Sequence, residues 1–175
     1  MSSLTVAIIV LFAALYAVGV IILTPISFSI YQVRLADALL PLSMIFGMPS
    51  AIGLSLGTLV ANVYGGLGII DIVGGSVANF IACILSWHIS KKDGFLHRFF
   101  GALVETIVIT MIVGGYLSFI FNVPVEFGLF GILVGSIISI NILGFVLEET
   151  IRRGIILGSE GFFFKKYKKV VKNMK

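Results

Sequence analysis

The chain is built from long uncharged runs separated by short polar breaks. From Leu4 to Ile30 no side chain is charged, and the run holds a single proline, Pro25. A helix rises about 1.5 Å per residue and the hydrocarbon core of a bilayer is about 30 Å thick, so about 20 apolar residues make one crossing. This first run predicts a helix to about Leu23, then a non-helical stretch with Ser27 and Ser29. It has no A-x-A cleavage region and reads as a retained helix rather than a signal peptide. The next run, Ala38 to Ile70, is too long for one helix and too short for two full ones. The Gly47-Met48-Pro49 break divides it into a short second helix, spanning or re-entrant, and a third ending near Tyr64.

Gly65, Gly66 and Gly68 then predict a turn, with Asp71 as the N-cap of a fourth helix from Ile72 to about Ser90. Lys91-Lys92-Asp93-Gly94 ends that helix in water. A fifth span runs from about Phe99 to Phe121 with Glu105 near its start, and Asn122, Pro124 and Glu126 form the loop after it. The sixth runs from about Phe127 towards Gly158, where Glu148, Glu149, Arg152 and Arg153 mark the membrane boundary. The pattern predicts an all-α bundle of six transmembrane helices, a single domain over 1–175 with a basic tail at 165–175. No inverted repeat of the kind found in many autonomous transporters is visible.

Composition excludes a water-soluble alternative. Hydrophobic residues make up 59% of the chain, charged residues only 11%, and the mean hydropathy is +1.17. Eight acidic and twelve basic residues cannot supply the charged shell of a soluble core. The net charge of +4 is no nucleic-acid signal, because six of the basic residues lie between Lys165 and Lys175, where a juxtamembrane tail meets anionic lipid. The single cysteine, Cys83, allows no intramolecular disulfide and no thiolate cluster, and reads as a packing residue.

An ionisable group inside a span costs at least about 2.5–3.5 kcal/mol, so those retained there are candidates for function. Arg34 and Asp37 stand three apart at the start of the second helix, either as an interfacial ion pair or, with Gln32, as donors and acceptors for a polar heterocycle. Asn62 and Tyr64 end the third helix on the same side, where a water-satisfied terminus is the plain reading. Glu105 lies about two turns inside its helix, too deep for a simple cap, and is a candidate solute contact. Glu148, Glu149, Arg152 and Arg153 have i,i+4 spacing and read as a solvated or interfacial salt-bridge cluster, or as a dock for a cytoplasmic partner. His88 and His97 have no carboxylate or cysteine at ligand spacing, which argues against a metal site.

No Walker A sequence, zinc-protease helix or nucleophile elbow is present, so the chain reads as a solute-binding and transport subunit that needs no cofactor of its own, not as an enzyme. ATP-driven transport requires partner chains. Ala13 and Ala17, four apart in AALYA, form a small-residue stripe on which another membrane helix can pack.

The stretches QVRLADALLPL (Gln32 to Leu42) and FGMPSAIGLSLGTLVANVYGGLGIIDIVGGS (Phe46 to Ser76) carry a resemblance. They are similar to the R-x-[ST/A]-[E/D]-A-L segment, proline-broken hairpin, A-N helix end and G-L-x-x-x-D-I-V-x-G-S helix start of the S components of energy-coupling-factor transporters. Among these the chain most closely resembles the queuosine-precursor type, QueT. The resemblance implies a subunit that captures a deazaguanine outside and delivers it when joined to a transmembrane coupling protein and two ATP-binding subunits. Asp37 or Asp71 would accept the paired N–H groups of a guanine-like edge, Gln32 and Asn62 would serve its carbonyl and ring nitrogens, and Tyr64 or Tyr31 would stack on the ring. Ala13 and Ala17 would meet the coupling protein. A self-sufficient solute carrier or channel, or an S component for another vitamin, is the competing reading.

Lysine and arginine are retained in cytoplasmic loops. With the N-terminus inside, the inner segments hold Lys91, Lys92, Arg98, Arg152, Arg153 and the lysine tail, while the outer loops hold only Arg34. Both termini are therefore expected in the cytoplasm. A reporter fused to the C-terminus should be active in its cytoplasmic form, and an extracytoplasmic signal from intact protein would refute the topology.

Overall fold

The computed structural model describes residues 2–28, 33–92 and 94–157, and every regular element among them is helical. Helix α1 spans Ser3–Ile22, and a short turn, Thr24–Ser27, follows. The α2 segment, Leu35–Phe46, is a 3-10 helix over Leu35–Leu42 that passes into an α-turn over Ser43–Phe46. Helix α3 is Met48–Gly65, α4 is Ile69–Ser90 and α5 is Phe95–Phe121, with a π-helical stretch at Thr110–Gly114. Helix α6, residues 125–157, contains a second π-helical stretch at Ile137–Gly144.

Four stretches, Ser3–Ile22, Ile69–Ser90, Phe95–Phe121 and Val125–Gly154, are long and apolar enough to cross a membrane. Their outward faces are greasy: Ile22 is 72% exposed and Phe119 78%. Such a surface belongs in lipid. The interior is more polar than the rim, with Ser43, Thr58, Asn62, Asp71, Ser86, Glu105 and Glu148 all buried.

The α2 segment runs through this interior, and none of residues 33–50 is exposed. A 3-10 helix rises about 2.0 Å per residue, so eight such residues and one α-turn of four extend about 22 Å. Three residues per turn also stack every third side chain on one face. Arg34, Asp37, Leu40 and Ser43 occupy such a row, and all four are buried. The Asp37 amide donates to the Arg34 carbonyl at 2.9 Å, and Pro41 has no amide to offer a longer-range bond.

Helix α3 has the length of a crossing but is diluted by Gly, Ser, Thr and Asn. The glycines serve packing. A Cβ at Gly53 would lie 2.5 Å from the Ile9 carbonyl oxygen, and one at Gly57 would lie 2.6 Å from that of Ala13 and 2.9 Å from Tyr16 Cβ. The two backbones meet along this G-x-x-x-G stripe. Ala17 is buried and Ala13 half-buried, so the alanine stripe of α1 is largely occupied within the chain. Ala14, with Val10 and Val18, faces outwards.

Two boundaries differ from expectation. Asp71 is not the N-cap of α4: the helix begins at Ile69 behind Gly68, whose φ of 100° suits glycine, and Asp71 is the third helical residue. Helix α5 begins at Phe95 and takes in Arg98, which places Glu105 deeper than two turns. Nor is the α6 charge cluster solvated throughout. Glu148 is fully buried, with Arg152 Nε at 2.6 Å and Arg98 Nε at 3.7 Å. Arg98 Nε also donates to Glu149 at 2.6 Å, and Arg152 Nη2 donates to the Met44 carbonyl at 3.4 Å. Two arginines thus tie α5, α6 and the end of α2 together. Only Arg153 is well exposed, 76% by side chain, with Glu149 3.7 Å away.

Gly57→Leu should break the α1–α3 contact, since the added atoms meet backbone that cannot swing aside. We expect a loss of at least about 1–3 kcal/mol, seen as a lower unfolding midpoint in detergent. Unchanged stability would mean that the helices do not approach this closely.

Candidate ligand site

Polar side chains from five helices converge at one end of the bundle. Arg34 and Asp37 stand at the start of α2, and Asn62 at the end of α3. Asp71 stands in the first turn of α4, while Tyr16 and Tyr116 lie in the second halves of α1 and α5. Antiparallel neighbours bring these ends together although the residues are far apart in sequence.

The Asp71 Oδ1 atom lies 3.7 Å from Arg34 Nη2 and accepts the Tyr116 hydroxyl at 2.8 Å. Asp37 Oδ1 accepts the Tyr16 hydroxyl at 2.6 Å. Arg34 Nε reaches the Ser27 carbonyl at 3.4 Å, and its guanidinium lies 5.3 Å from the centre of the Phe28 ring, within cation–π range. Asn62 Nδ2 donates to the backbone oxygen of Asp71 at 2.7 Å, and Asn79 Nδ2 donates to Thr58 Oγ1 at 2.6 Å. Three buried atoms, Arg34 Nη2, Asp71 Oδ2 and Asn62 Oδ1, make no hydrogen bond among the described residues. Such orphans are costly in a lipid-embedded core and mark where a ligand or water is wanted.

A small cavity opens beside Arg34 and Asp37, and neither Asn62 nor Asp71 lines it. Arg34, Asp37 and Asn79 give it a polar side, and Ile109, Val113 and Ile132 an apolar one. Its volume is about 10 Å³, room for about one water and far below the roughly 300–1,000 Å³ of small-molecule pockets. Ile109 and Val113 lie at the first π-helical stretch, and Gly135 and Ser136, also lining, directly precede the second. Interruptions of this kind in α-helices are frequent at functional sites.

Of the residues singled out from sequence, Arg34, Asp37, Asn62 and Asp71 come together here. Tyr64 does not: it is 62% exposed, two residues on from Asn62 and so on the other side of the helix. Glu105, like Asn62 and Asp71, does not line the cavity. It lies one turn below Ile109 on the same face, where Oε1 takes Ser86 Oγ at 2.5 Å and Ser43 Oγ at 3.4 Å. Gln32 and Tyr31 fall outside the described residues. Tyr16, Tyr116, Asn79 and Thr58 escape the sequence reading. A signal existed for two of them, because Asn79 follows Asp71 by eight and Thr58 precedes Asn62 by four, helical repeats of one face.

The matched sequence decides the family. The family model of the QueT transporter matches residues 6–153. The chain belongs to the QueT transporter family. No curated protein and no solved structure matches it. The QueT match takes in α1 to α5 and most of α6, so the whole convergence of polar residues and the Arg98–Glu148–Arg152 tie lie within it. The chain is accordingly a membrane protein of a transporter family, with no enzymatic family indicated.

Breaking one side of a buried ion pair leaves the other uncompensated. Arg34→Ala should destabilise the protein by about 3–5 kcal/mol, and adding Asp71→Ala should restore part of the loss. A double-mutant cycle of thermal midpoints measures this, and additive single effects would show that the two charges do not interact.

Proposed function

We propose that the chain is the solute-capturing membrane subunit of an energy-coupling-factor importer, and that its solute is a queuosine precursor of the deazaguanine class. The observation that carries this reading is the group of orphaned buried atoms around Arg34, Asp71 and Asn62, next to Asp37, in a QueT-family chain. A guanine-like edge offers two adjacent N–H donors to one carboxylate and a carbonyl to a cation. Asp37 suits the first role once Tyr16 releases it, and Arg34 Nη2 suits the second. Asp71 Oδ2 and Asn62 Oδ1 remain as acceptors for the rest of the ligand. Gln32 is proposed to join them, whereas Tyr64 faces outwards and Glu105 is engaged by Ser86 and Ser43, so neither is a first choice.

In this reading the chain crosses the membrane six times with both ends in the cytoplasm, α2 crossing as an extended 3-10 segment sheathed by the other helices. The site then faces outwards. The Arg98–Glu148–Arg152 tie faces the cytoplasm, on the side favoured by the distribution of basic residues. Power comes from ATP-binding partners through a coupling protein. With Ala17 buried, the coupling protein would meet α1 beside Ala13, on the exposed side formed by Val10, Ala14 and Val18.

Calorimetry on the purified chain tests the reading. A deazaguanine should bind and riboflavin should not. Asp37→Ala and Asp71→Ala should each weaken binding about 10- to 150-fold, the value of one charge-assisted hydrogen bond of about 1.5–3 kcal/mol. Undiminished affinity in both variants would remove these carboxylates from the site. Solute flux through the lone chain in liposomes would replace the importer-subunit reading with that of an autonomous carrier.

A further inference from the structure

We propose that Glu105 is a proton-binding site: inside the bundle it is a neutral carboxylic acid, and its proton is a structural ligand that joins α2, α4 and α5. The inference stands whichever solute the chain captures. Glu105 is fully buried in α5, and no ion pair among the described residues includes it. The charged groups on the surrounding elements are engaged elsewhere. On α5 itself Arg98 stands seven residues earlier, about 10.5 Å along the helix, and reaches Glu148 and Glu149. On α6 Glu148 is held by Arg152 as well. On α2 Asp37 takes the Tyr16 hydroxyl and stands six residues from Ser43, about 12 Å of 3-10 rise, with Arg34 beyond it. On α4 the titratable side chains at this level are the Cys83 thiol, 3.9 Å from the Leu40 carbonyl, and the exposed His88, whose ring reaches the Ile84 carbonyl. An unpaired carboxylate anion in such an interior would cost far more than its hydrogen bonds return. A bound proton removes the charge.

Hydrogen-bond accounting around the carboxyl agrees. Oε1 lies 2.5 Å from Ser86 Oγ and 3.4 Å from Ser43 Oγ, whereas Oε2 is buried with no hydrogen-bond partner. The two hydroxyls lie 3.1 Å from each other, and each reaches the Cys83 carbonyl, Ser86 at 3.1 Å and Ser43 at 3.2 Å. A proton on Oε1 therefore has an acceptor in Ser86 Oγ. Ser86 passes its own hydrogen to the Cys83 carbonyl, and Ser43 gives its hydrogen to Ser86 Oγ or to the same carbonyl. Every donor is then used. Oε2 is left as the carbonyl oxygen of a neutral acid, which is far cheaper to leave unfilled than one end of a carboxylate anion. A metal ion does not fit the same atoms. With metal–oxygen bonds of about 2.0–2.1 Å in an octahedral shell, neighbouring oxygens stand about 2.9 Å apart, and larger ions hold them farther. At 2.5 Å, Glu105 Oε1 and Ser86 Oγ share a hydrogen and not a cation. Ser43 closes the buried row of α2 and Ser86 belongs to α4, so one proton ties three helices where they meet.

Infrared spectroscopy and pH-dependent unfolding of the full chain in detergent test the proposal. The parent protein should show the C=O stretch of a protonated carboxyl in a dry environment. Glu105→Gln, which keeps the shape and the hydrogen-bonding reach of the side chain, should fold and lack that band. Unfolding should release the proton into water. Above the ordinary glutamate value of about 4.3, the unfolding constant of the parent should therefore rise about tenfold per pH unit more steeply than that of Glu105→Gln, up to the pH at which the folded protein itself gives the proton up. A parent protein without a protonated-carboxyl band overturns the proposal, as does a band that persists in folded Glu105→Gln. Equal pH slopes overturn it too. Should the variant not fold, glutamate labelled at its side-chain carboxyl with the heavy carbon isotope decides on the parent: the band must move with the label, and an unmoved band belongs to an aspartate and sinks the assignment. Stabilisation of the parent by sodium chloride over choline chloride that disappears in Glu105→Gln would put a metal ion in the place of the proton, and equally overturns the proposal.

Discussion

In this molecule a buried charge has to be answered by another group of the same chain, because the outer surface is fitted to lipid and offers no water. That constraint explains why the interior is more polar than the rim, the reverse of a soluble domain. It also explains why most of the buried ionisable groups gather in two layers, with Glu105 outside both and held by the hydroxyls of Ser86 and Ser43. One layer joins Arg34, Asp37 and Asp71 with two tyrosines. The other joins Arg98, Glu148, Glu149 and Arg152. The close helix approaches at Gly53 and Gly57 and the buried path of α2 hold the first layer in register.

The layers differ in how fully they are satisfied. In the second, carboxylates meet guanidinium groups at hydrogen-bonding distance and one buried atom, Glu148 Oε2, is left without a hydrogen bond, an arrangement suited to holding helices together. In the first, tyrosine hydroxyls occupy one oxygen of each aspartate while three polar atoms remain idle. The hydroxyls of Tyr16 and Tyr116 keep the two carboxylates hydrogen-bonded. Ligand capture at this site would be an exchange of partners, with a net gain smaller than the gross strength of the new bonds.

The helical order of the bundle was legible because lipid demands long apolar runs. The Gly47-Met48-Pro49 break and the Gly65–Gly68 turn fall where helices end. Local pattern failed where distant residues decide. Arg98 looked like part of a loop but lies in α5, where Glu149 and Glu148, some fifty residues on, meet its charge. Asp71 looked like a cap because capping is the usual duty of an aspartate near a helix start, but Gly68 starts the helix and leaves Asp71 free for Tyr116 and Arg34. Four of the candidate ligand residues cluster, since charged or amide groups in apolar runs are conspicuous. Tyr16 and Tyr116 were hidden, because tyrosine is unremarkable in a membrane helix until its hydroxyl is seen to have a partner.

The 3-10 stretch of α2 is a ruler with two lengths. Rewinding its eight residues as an α-helix would shorten it by about 4 Å, since each residue would rise about 1.5 Å instead of about 2.0 Å. The same rewinding would turn Asp37 about 60° around the axis relative to Arg34 and dissolve the vertical row they form with Leu40 and Ser43. One end of this ruler carries Arg34 and Asp37. The other ends beside Met44, whose carbonyl Arg152 holds. A change of pitch in this one central segment would therefore be felt at both ends of the bundle, without any outer helix having to change its length.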